Sequence, residues 1–538
     1  MLERVACHGR DGGDRFDVLV VEPKELELGV GVHWRDQPEY LILNTVASQA
    51  TAFSDEHMVA GAPASNGPDF ATWSRAQGLR TAADRPVGSG DYLPRRIWGE
   101  YLAWSASRIL ATLPATVSVT VLAGVAVDVR PGGHGATVTL ADGNARDVDV
   151  AFVTTGHGVR RAAPVRAPRL ITDPFPLPDT VAAVNAGETV AIAGMGLTAI
   201  DVVAALTVGR AGRFTVGEGT VRYEASGHEP RIVLFSRTGW LPCARPTSPR
   251  QVPKPGARHF TIDALRAVRD TRADGRLDFR FDVLPLVQRE VLSALPAGPA
   301  MQAARNTLGL GRSTWETVTA YEADVIAQAR WDLAEARCGL SESPFKNQME
   351  VLRDARETLR AVVHPPGLTL QGHRDFFDTV PALANRAAVG PQIERLAELL
   401  ALIEAGVVAL GPGPNPLVEA EGEGWTLRAT SLLRGHRVAA DHLITAHLDW
   451  PRSVGGEDYL ASPIRTWARP HPADPRFLDL TPGGFVQAVD GLSDRTVVVL
   501  GPPAEGATYY NNYVLWPRAW SRALTDIDRA LASVRIRR

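Results

Sequence analysis

The sequence predicts an α/β fold with two Rossmann-like dinucleotide-binding domains and a helical insertion. Three observations predict it: valine-rich strand patterns at 16–22 and 148–154, a strand–glycine turn–helix–strand pattern at 189–236, and apolar residues at helical spacing between about 258 and 408. Valine-rich runs closed by glycine or proline are typical of buried parallel strands, whose sheets are covered by helices. A chain of 538 residues is long enough for two or three such units.

The first elements of the chain predict a nucleotide-binding sheet. Residues 2–9 have the pattern of the end of a helix, and Phe16–Glu22 follows as a buried strand. Glu22 closes this strand, where a carboxylate can bind a nucleotide ribose. The alternative for Glu22 is a solvated carboxylate at the end of a strand.

A small antiparallel meander is expected between residues 116 and 157. Its strands are residues 117–122, 125–129 and 136–140, separated by glycine-containing turns. It leads into a second buried strand over 148–154. The small residues Thr155 and Gly156 follow, and they allow the chain to turn close to a nucleotide.

The strongest single motif is a glycine turn between a predicted strand and a predicted helix. Its residues are Gly194, Gly196, Leu197, Thr198 and Ala199. The two glycines permit a tight turn and close approach to a pyrophosphate, which the amino end of the helix attracts, and Ala199 lets the helix lie against the sheet. The alternative is a tight turn that binds no ligand.

Two residues after the next strand bear on the choice of nicotinamide cofactor. Ser236 and Arg237 stand where an acidic residue would bind the ribose hydroxyls of NADH. A guanidinium in this position fits the additional phosphate of NADPH. The alternative is a solvated surface arginine, and Arg245 is a weaker second candidate for the phosphate.

Further motifs, in order along the chain, resemble flavin-dependent N-hydroxylating monooxygenases, a branch of the two-dinucleotide FAD/NAD(P)-binding flavoproteins. Arg95 and Arg96 precede an aromatic helix that packs beside FAD in that family. The strand that ends at Thr155 and Gly156 is also similar. The remaining matches are two loops under the isoalloxazine and a closing turn at the flavin pyrimidine ring, with the residues Gly29, Gly31, Trp34, Asn44, Thr45, Gln49, Glu505, Gly506 and Thr508.

Within this family, the glycine turn, the residues after Ser236 and the late turn before Glu505 resemble the nitrosuccinate synthases. The alternatives from the residues alone are an amphipathic helix after Arg96 and a polar turn near Thr508. His373, Arg374 and Asp375 in the helical region are expected to form a solvated turn, with contact to a polar substrate as the alternative.

The resemblance implies FAD and NADPH as cofactors and oxygen transfer through a peroxyflavin to an amine nitrogen of a small amino-acid-like substrate. It assigns no catalytic side chain, because the cofactor performs the redox chemistry. The alternatives are another flavin monooxygenase, an NADPH oxidase-like reductase and a non-catalytic nucleotide-binding protein. The expected domains are the FAD-binding domain (1–165 and 456–538), the NADPH-binding domain (166–257 and 409–455) and the helical insertion (258–408).

Composition excludes several other classes of function. Lysine and arginine number 57 against 60 acidic residues, so the net charge of −3 creates no field that favours nucleic acid or an anionic membrane. Cys7, Cys243 and Cys338 form neither a CxxC pair nor a metal-ligand cluster, so we expect no metal site and no disulfide reductase. No apolar run approaches the roughly 20 residues of a membrane span, and there is no signal-peptide core, so we expect a cytoplasmic protein.

One departure from the family concerns the start of the chain. Family members begin with a strand and a glycine-rich loop before the helix that survives here as residues 2–6, and that loop wraps the FAD pyrophosphate. We expect a start site placed too late; the alternative is a chain that binds FAD poorly. The 538-residue form should then purify colourless or aggregate, and a form extended by about 15–25 upstream codons should purify yellow.

Overall fold

The computed structural model describes residues 1–11, 15–23, 27–33, 36–59, 61–81, 83–133, 135–156, 169–217, 219–246, 256–446, 464, 466–490, 493–511 and 514–535. The α-helices are α1 (Leu2–Asp11), α2 (Phe70–Ala76), α3 (Arg95–Ala111), α4 (Leu197–Leu206), α5 (Ile262–Asp270), α6 (Leu284–Leu292), α7 (Pro299–Thr307), α8 (Val318–Glu342), α9 (Pro344–Asp354), α10 (Arg356–Val363), α11 (Leu370–Ala387), α12 (Ile393–Glu404) and α13 (Arg522–Arg535).

The strands in the described part of the chain are β1 (Phe16–Glu22), β2 (Val117–Ala123), β3 (Ala126–Pro131), β4 (Ala136–Leu140), β5 (Ala145–Val148), β6 (Ala151–Val153), β7 (Leu170–Ile171), β8 (Thr189–Ala193), β9 (Arg213–Gly217), β10 (Thr220–Glu224), β11 (Arg231–Phe235), β12 (Val408–Leu410), β13 (Leu417–Glu421), β14 (Gly424–Arg428), β15 (Arg437–Ala440), β16 (His442–Thr445), β17 (Phe485–Gln487) and β18 (Ser493–Val499). The α/β class is confirmed.

The chain divides into two compact units. The first consists of Met1–Arg161, Val363–Pro365 and Trp450–Arg538, and the second of Ala162–Val362 and Pro366–Asp449. Across the described residues, no helix is both long enough and apolar enough to cross a membrane.

The first unit contains parallel strand pairs and a small meander. β1 pairs with β2 in parallel, from Phe16 opposite Val117 to Glu22 opposite Ala123. The expected meander over 117–140 is therefore wrong in its first strand, because β2 forms its hydrogen bonds with β1 and the meander is β3–β4–β5. The expected strand over 148–154 is also shorter, since β5 ends before β6 begins at Ala151.

A buried ion pair joins the two ends of the first unit. The Arg4 side chain on α1 is fully buried, and its Nε and Nη2 donate to the two carboxylate oxygens of Asp528 on α13 at 2.8 and 3.0 Å. Val5 of α1 and Leu531 of α13 belong to one apolar cluster with Val117. These contacts hold α1 against α13 and β2.

The second unit is built on a five-stranded sheet in the order β12–β11–β8–β16–β7, with every neighbouring pair parallel. β8 is central, and α4 follows it directly, as the strand–turn–helix pattern predicts. The helix is almost entirely buried from Ala199 to Leu206 because its apolar residues surround its axis. This is the arrangement of a dinucleotide-binding sheet, whose ligands bind at the carboxyl ends of the strands.

The region from 258 to 408 is mainly helical, as the spacing of apolar residues predicts. It contains α5 to α12 and one turn of π-helix at Phe279–Val283. The longest of these helices, α8, begins at Val318, because the Thr317 side chain accepts from the Ala320 N–H and caps it.

Candidate nucleotide-binding site

The glycine turn lies at the carboxyl end of the central strand of the second unit. The Gly194 N–H donates to the carbonyl of Phe235 on β11 at 2.8 Å, and its φ of 141° requires a residue without a Cβ. Gly196 precedes the ten-residue helix α4, and a Cβ built on it would meet no atom within 4 Å. The amino end of α4 is therefore open, and free backbone N–H groups there attract a phosphate.

In the first turn of α4, one residue packs on the sheet and two others lie beside the open end of the helix. Ala199 is 1% exposed and belongs to the core. Leu197 and Thr198 are half-buried beside the exposed Gly196. The division follows the expected roles, because a small residue packs on the sheet while the amino end of the helix stays accessible.

Ser236 and Arg237 lie one strand away from the glycine turn. β11 is paired with β8, with Phe235 opposite Ala193, so both residues follow the same edge of the sheet. Ser236 Oγ accepts from the Gly239 N–H at 3.0 Å and shapes the turn. Arg237 is exposed, and its Nη2 donates to the carbonyl of Asp378 at 3.0 Å. The arginine is held at one end and keeps other donors for a ligand.

Arg245 does not fit the role of a second phosphate ligand. Its Nη1 donates to the carbonyl of Ala388 at 2.8 Å and lies 3.6 Å from the carboxylate of Glu350. Its side chain is 14% exposed. We therefore assign no nucleotide contact to Arg245.

In the first unit, backbone pairing brings two of the family-like motifs together. The Leu43 N–H donates to the Leu93 carbonyl at 2.9 Å, and the Arg95 N–H donates to the Leu41 carbonyl at 2.7 Å. Asn44 and Thr45 follow this short antiparallel contact in a bend, half-buried, and the Ala47–Gln49 3-10 helix comes next. The start of α3 and the Asn44–Gln49 segment are thus neighbours although about fifty residues separate them.

The two arginines at the start of α3 differ in their surroundings. Arg96 is bound by two carboxylates, Glu39 and Glu100, the latter at 2.8 Å. Arg95 is half-buried beside His33, whose pKa its charge lowers. The assignment of both arginines as cofactor contacts stays a prediction.

The loop that carries Gly29 and Gly31 packs against α3. Both glycines have positive φ angles, 76° and 57°. A Cβ on Gly99 of α3 would lie 1.8 Å from the His33 carbonyl oxygen, so only glycine permits this approach. Trp34, the third residue expected in this loop, lies outside the described residues.

His33 lies in the same loop and was not among the expected contact residues. Its Nδ1 is buried and has no hydrogen-bond partner among the described residues. Burial, and then the charge of Arg95, lowers its pKa to about 4, so the imidazole is neutral at neutral pH. A buried polar atom without a partner costs about 1–3 kcal/mol, which a bound polar group would recover.

Two more motifs meet at the carboxyl ends of β6 and β18. The Leu500 N–H donates to the carbonyl of Val153 at 3.1 Å, which places Thr155 and Gly156 next to the late turn. A shallow groove lies here, and its lining includes Gly501, Thr508 and Asn511. It is also lined by residues 480–484, which sequence reasoning missed although their Thr-Pro-Gly-Gly turn is a recognisable signal.

Glu505 organises the late turn from within. It is 3% exposed, and its carboxylate accepts from the backbone N–H groups of Tyr510 and Asn511, both at 2.9 Å, and from Asn511 Nδ2 at 2.7 Å. Thr508 Oγ1 is 2.8 Å from Asn511 Oδ1. Gly506 has φ 94°, and a Cβ there would lie 2.1 Å from the Phe477 ring. The Glu505 side chain therefore shapes the turn.

Glu22 closes β1 beside Ala123 of β2. Its carboxyl is half-buried, and burial raises its pKa. A partly desolvated carboxylate gains from hydrogen-bond donors such as ribose hydroxyls. The expected ribose contact of Glu22 stays a prediction.

The expected turn at residues 373–375 is wrong, because all three residues lie within α11, and of the three only Arg374 is exposed as expected. His373 and Asp375 are 4% and 8% exposed within α11. Asp375 accepts from Arg280 Nε and Nη2 at 2.7 and 2.8 Å, and this ion pair lowers the pKa of Asp375. The buried residues Phe376 and Phe377 continue the apolar pattern of α11. His373 and Asp375 therefore lie within this helix and not in a turn.

Comparison with known proteins decides the family. A family model described as FAD-NAD(P)-binding matches residues 1–158. The L-aspartate N-monooxygenase (nitrosuccinate-forming) of Streptomyces davaonensis is 30% identical over 536 residues, covering 83% of this chain and 80% of that protein. The protein belongs to the L-aspartate N-monooxygenase family.

Two further proteins are similar to this chain over most of its length. The Streptomyces cremeus L-aspartate N-monooxygenase is 30% identical over 523 residues, covering 83% of this chain and 78% of its own. The nitrosuccinic acid synthase of Aspergillus oryzae is 28% identical over 596 residues, covering 98% and 89%. Membership confirms the expectations of a flavin-dependent oxidoreductase, of FAD and a nicotinamide dinucleotide as cofactors, and of two dinucleotide-binding domains.

The described residues fit a nicotinamide dinucleotide in the second unit and part of FAD in the first unit. The open amino end of α4 and the exposed Arg237 fit a phosphorylated nicotinamide dinucleotide. The buried Nδ1 of His33 and the groove beside Thr508 fit the polar edge of a flavin. We assign no described residue to the FAD pyrophosphate.

Proposed function

We propose that this FAD-dependent monooxygenase uses NADPH to oxidise the amino nitrogen of a small acidic amino acid, with L-aspartate as the first substrate to test. The observation that carries the proposal is the open glycine turn with Arg237 on the adjacent strand, in a chain 30% identical to L-aspartate N-monooxygenases. The first oxidation converts R–NH2, dioxygen, NADPH and a proton into R–NHOH, water and NADP⁺.

In this proposal the residues of the second unit select and hold NADPH. Gly194 and Gly196 keep the turn free of side chains, so that the amino end of α4 faces the pyrophosphate. The guanidinium of Arg237 pairs with the additional phosphate of NADPH, a charge-assisted contact that NADH lacks. Ser236 fixes the turn that presents Arg237.

In the first unit, the proposed contacts surround the flavin from several loops. Bound FAD supplies the redox chemistry, because it accepts two electrons from NADPH and passes them to dioxygen. Glu22 holds a ribose, and His33 provides a neutral hydrogen-bonding group beside Arg95. The remaining proposed contacts are Gly29, Gly31, Trp34, Asn44, Thr45, Gln49, Arg96, Thr155, Gly156, Glu505, Gly506 and Thr508.

Product analysis with isotopic oxygen tests the function. FAD-reconstituted protein is incubated with NADPH, L-aspartate and ¹⁸O2, and the products are separated by mass spectrometry. We expect an N-oxidised amino acid that carries ¹⁸O and NADPH consumption that depends on L-aspartate. The Gly196→Val variant should lose the reaction. Gly217→Val is the matched control, because Gly217 is exposed and a Cβ there meets no atom within 4 Å.

Two other results would replace the proposal. Hydrogen peroxide in a quantity equal to the NADPH consumed, with no labelled product from any amine, identifies an NADPH oxidase. Absence of NADPH oxidation by protein that holds FAD identifies a non-catalytic nucleotide-binding protein. Labelled oxygen on carbon or sulfur of a substrate identifies another class of flavin monooxygenase.

A further inference from the structure

A buried arginine in the second unit carries donors that no group of the described chain uses. Arg386 lies in the last turn of α11 and is 7% exposed. Its Nη1 donates to the carbonyl of Asn306 at 2.9 Å, and its guanidinium carbon lies 5.4 Å from the centre of the Trp240 ring. Its Nε and Nη2 are buried and have no hydrogen-bond partner among the described residues.

These two nitrogens form the edge of a guanidinium that binds a carboxylate with two parallel hydrogen bonds. The same chain uses that edge in this way elsewhere. Arg280 Nε and Nη2 donate to the two oxygens of Asp375 at 2.7 and 2.8 Å. Arg4 makes the corresponding pair with Asp528. At Arg386 the corresponding carboxylate is missing from the described residues.

The charges around Arg386 also leave one cation without a partner. The nearby carboxylate of Asp332 is 2.6 Å from Lys346 Nζ and accepts from the Ala244 N–H at 2.7 Å. Cys243, whose backbone N–H donates to the Arg386 carbonyl, has a pKa raised to about 12 by burial, so its thiol is neutral. Asp332 therefore faces two cations, Lys346 and Arg386, and one carboxylate cannot neutralise both.

Burial makes this arrangement costly for the free protein. Desolvation lowers the pKa of Arg386 to about 10, which is the expected response of a cation removed from water. A bound anion would both neutralise the charge and satisfy the two N–H groups. A planar carboxylate matches the free edge in shape, in charge and in number of acceptors.

We propose that Arg386 is a carboxylate-recognition residue in the second unit, and that its free Nε–Nη2 edge binds a carboxylate group of the amino-acid substrate. The inference rests on the proposed function for the identity of the ligand and on the geometry for its chemical class. Trp240 covers one face of the guanidinium and keeps the edge in place.

Ligand-dependent unfolding of the full chain tests the inference without requiring turnover. Thermal unfolding is measured at increasing L-aspartate concentration, with sodium chloride at equal ionic strength as the reference. We expect saturable stabilisation of the wild type by L-aspartate. In Arg386→Met the dissociation constant should rise at least about tenfold, because one bidentate charge-assisted contact is lost, and Arg386→Lys should recover only part of the affinity.

A matched arginine separates recognition from a structural role. Arg280→Met removes a guanidinium whose edge is already filled by Asp375, so it should lower the melting temperature of the free protein and leave the dissociation constant unchanged. Arg386→Met removes an uncompensated charge, so the melting temperature of the free protein should be maintained or raised. A destabilised free Arg386→Met with wild-type affinity for L-aspartate would overturn the inference, as would a wild type that L-aspartate does not stabilise.

Failure of the proposed function gives a different result. If wild-type protein is stabilised by L-aspartate through Arg386 but forms no N-oxidised product, the site stands and the proposed reaction falls. If labelled product forms and Arg386→Met keeps the wild-type KM for L-aspartate, the reaction stands and the site falls.

Discussion

Replacing Arg237 with alanine should change the cofactor preference of the enzyme. Arg237 is exposed and donates to the Asp378 carbonyl at 3.0 Å through Nη2, so its removal exposes no apolar core and leaves no buried charge. The loss is one charge-assisted contact to the additional phosphate of NADPH. Such a contact contributes about 1.5–3 kcal/mol, and the exposure of Arg237 argues for the lower half of that range.

A loss of about 1.5–2 kcal/mol corresponds to a roughly 10–30-fold decrease in kcat/KM for NADPH. The value for NADH should change less than about twofold, because NADH has no group at this position. The assay is anaerobic reduction of bound FAD in a stopped-flow instrument, with each cofactor varied over a full concentration range. Raised salt should reduce the difference between wild type and variant, since the contact is exposed to solvent.

Arg222→Ala is the control, because Arg222 is an exposed arginine on β10 and its removal changes the net charge equally. If Arg237→Ala lowered kcat/KM for NADPH and for NADH by the same factor, the reasoning would be refuted. It would mean that Arg237 contacts a part common to NADPH and NADH, or acts only through its hydrogen bond to Asp378 on α11.

Three other variants test separate parts of the two nucleotide sites. Gly196→Val should block reduction of FAD by NADPH and leave FAD retention unchanged; loss of FAD from the folded variant would show that the two sites are assigned the wrong way round. His33→Leu should flatten the dependence of stability on pH. The lowered pKa of about 4 means that wild-type stability is complete above the unfolded value of 6.5 and falls by up to about 3 kcal/mol as the pH drops toward 4, which urea unfolding at each pH measures. Glu505→Ala leaves three donors of Tyr510 and Asn511 without an acceptor and should lower the free energy of unfolding by about 3 kcal/mol; an unchanged urea midpoint would contradict the role of Glu505.

The features that sequence reasoning found correctly are mostly local. β8, the glycine turn, α4 and the end of β11 lie within about fifty residues, and glycine chemistry specifies their geometry. Helical periodicity likewise identified the region between 258 and 408. In these segments the residues that determine the structure are close in sequence.

The features that sequence reasoning missed depend on residues that are distant in sequence. Alternation in residues 117–122 is compatible with a meander and with the parallel pairing to β1 that the structure shows, because period-two patterning does not identify the neighbouring strand. The same holds for Arg386, since an arginine near the end of an amphipathic helix is usually solvated. Its significance arises only from Trp240, Asp332 and Lys346, which other segments supply.

The contact between α1 and α13 can form only at the end of synthesis, which delays completion of the first unit. Arg4 and Asp528 are 524 positions apart, so at about 5–20 residues per second the ribosome needs roughly 25–100 s to supply the second partner after the first. During that interval the whole second unit has been synthesised and can fold, while Arg4 of α1 waits for Asp528. Chaperone capture of nascent chains should therefore concentrate on the amino-terminal segment and end when α13 leaves the ribosome.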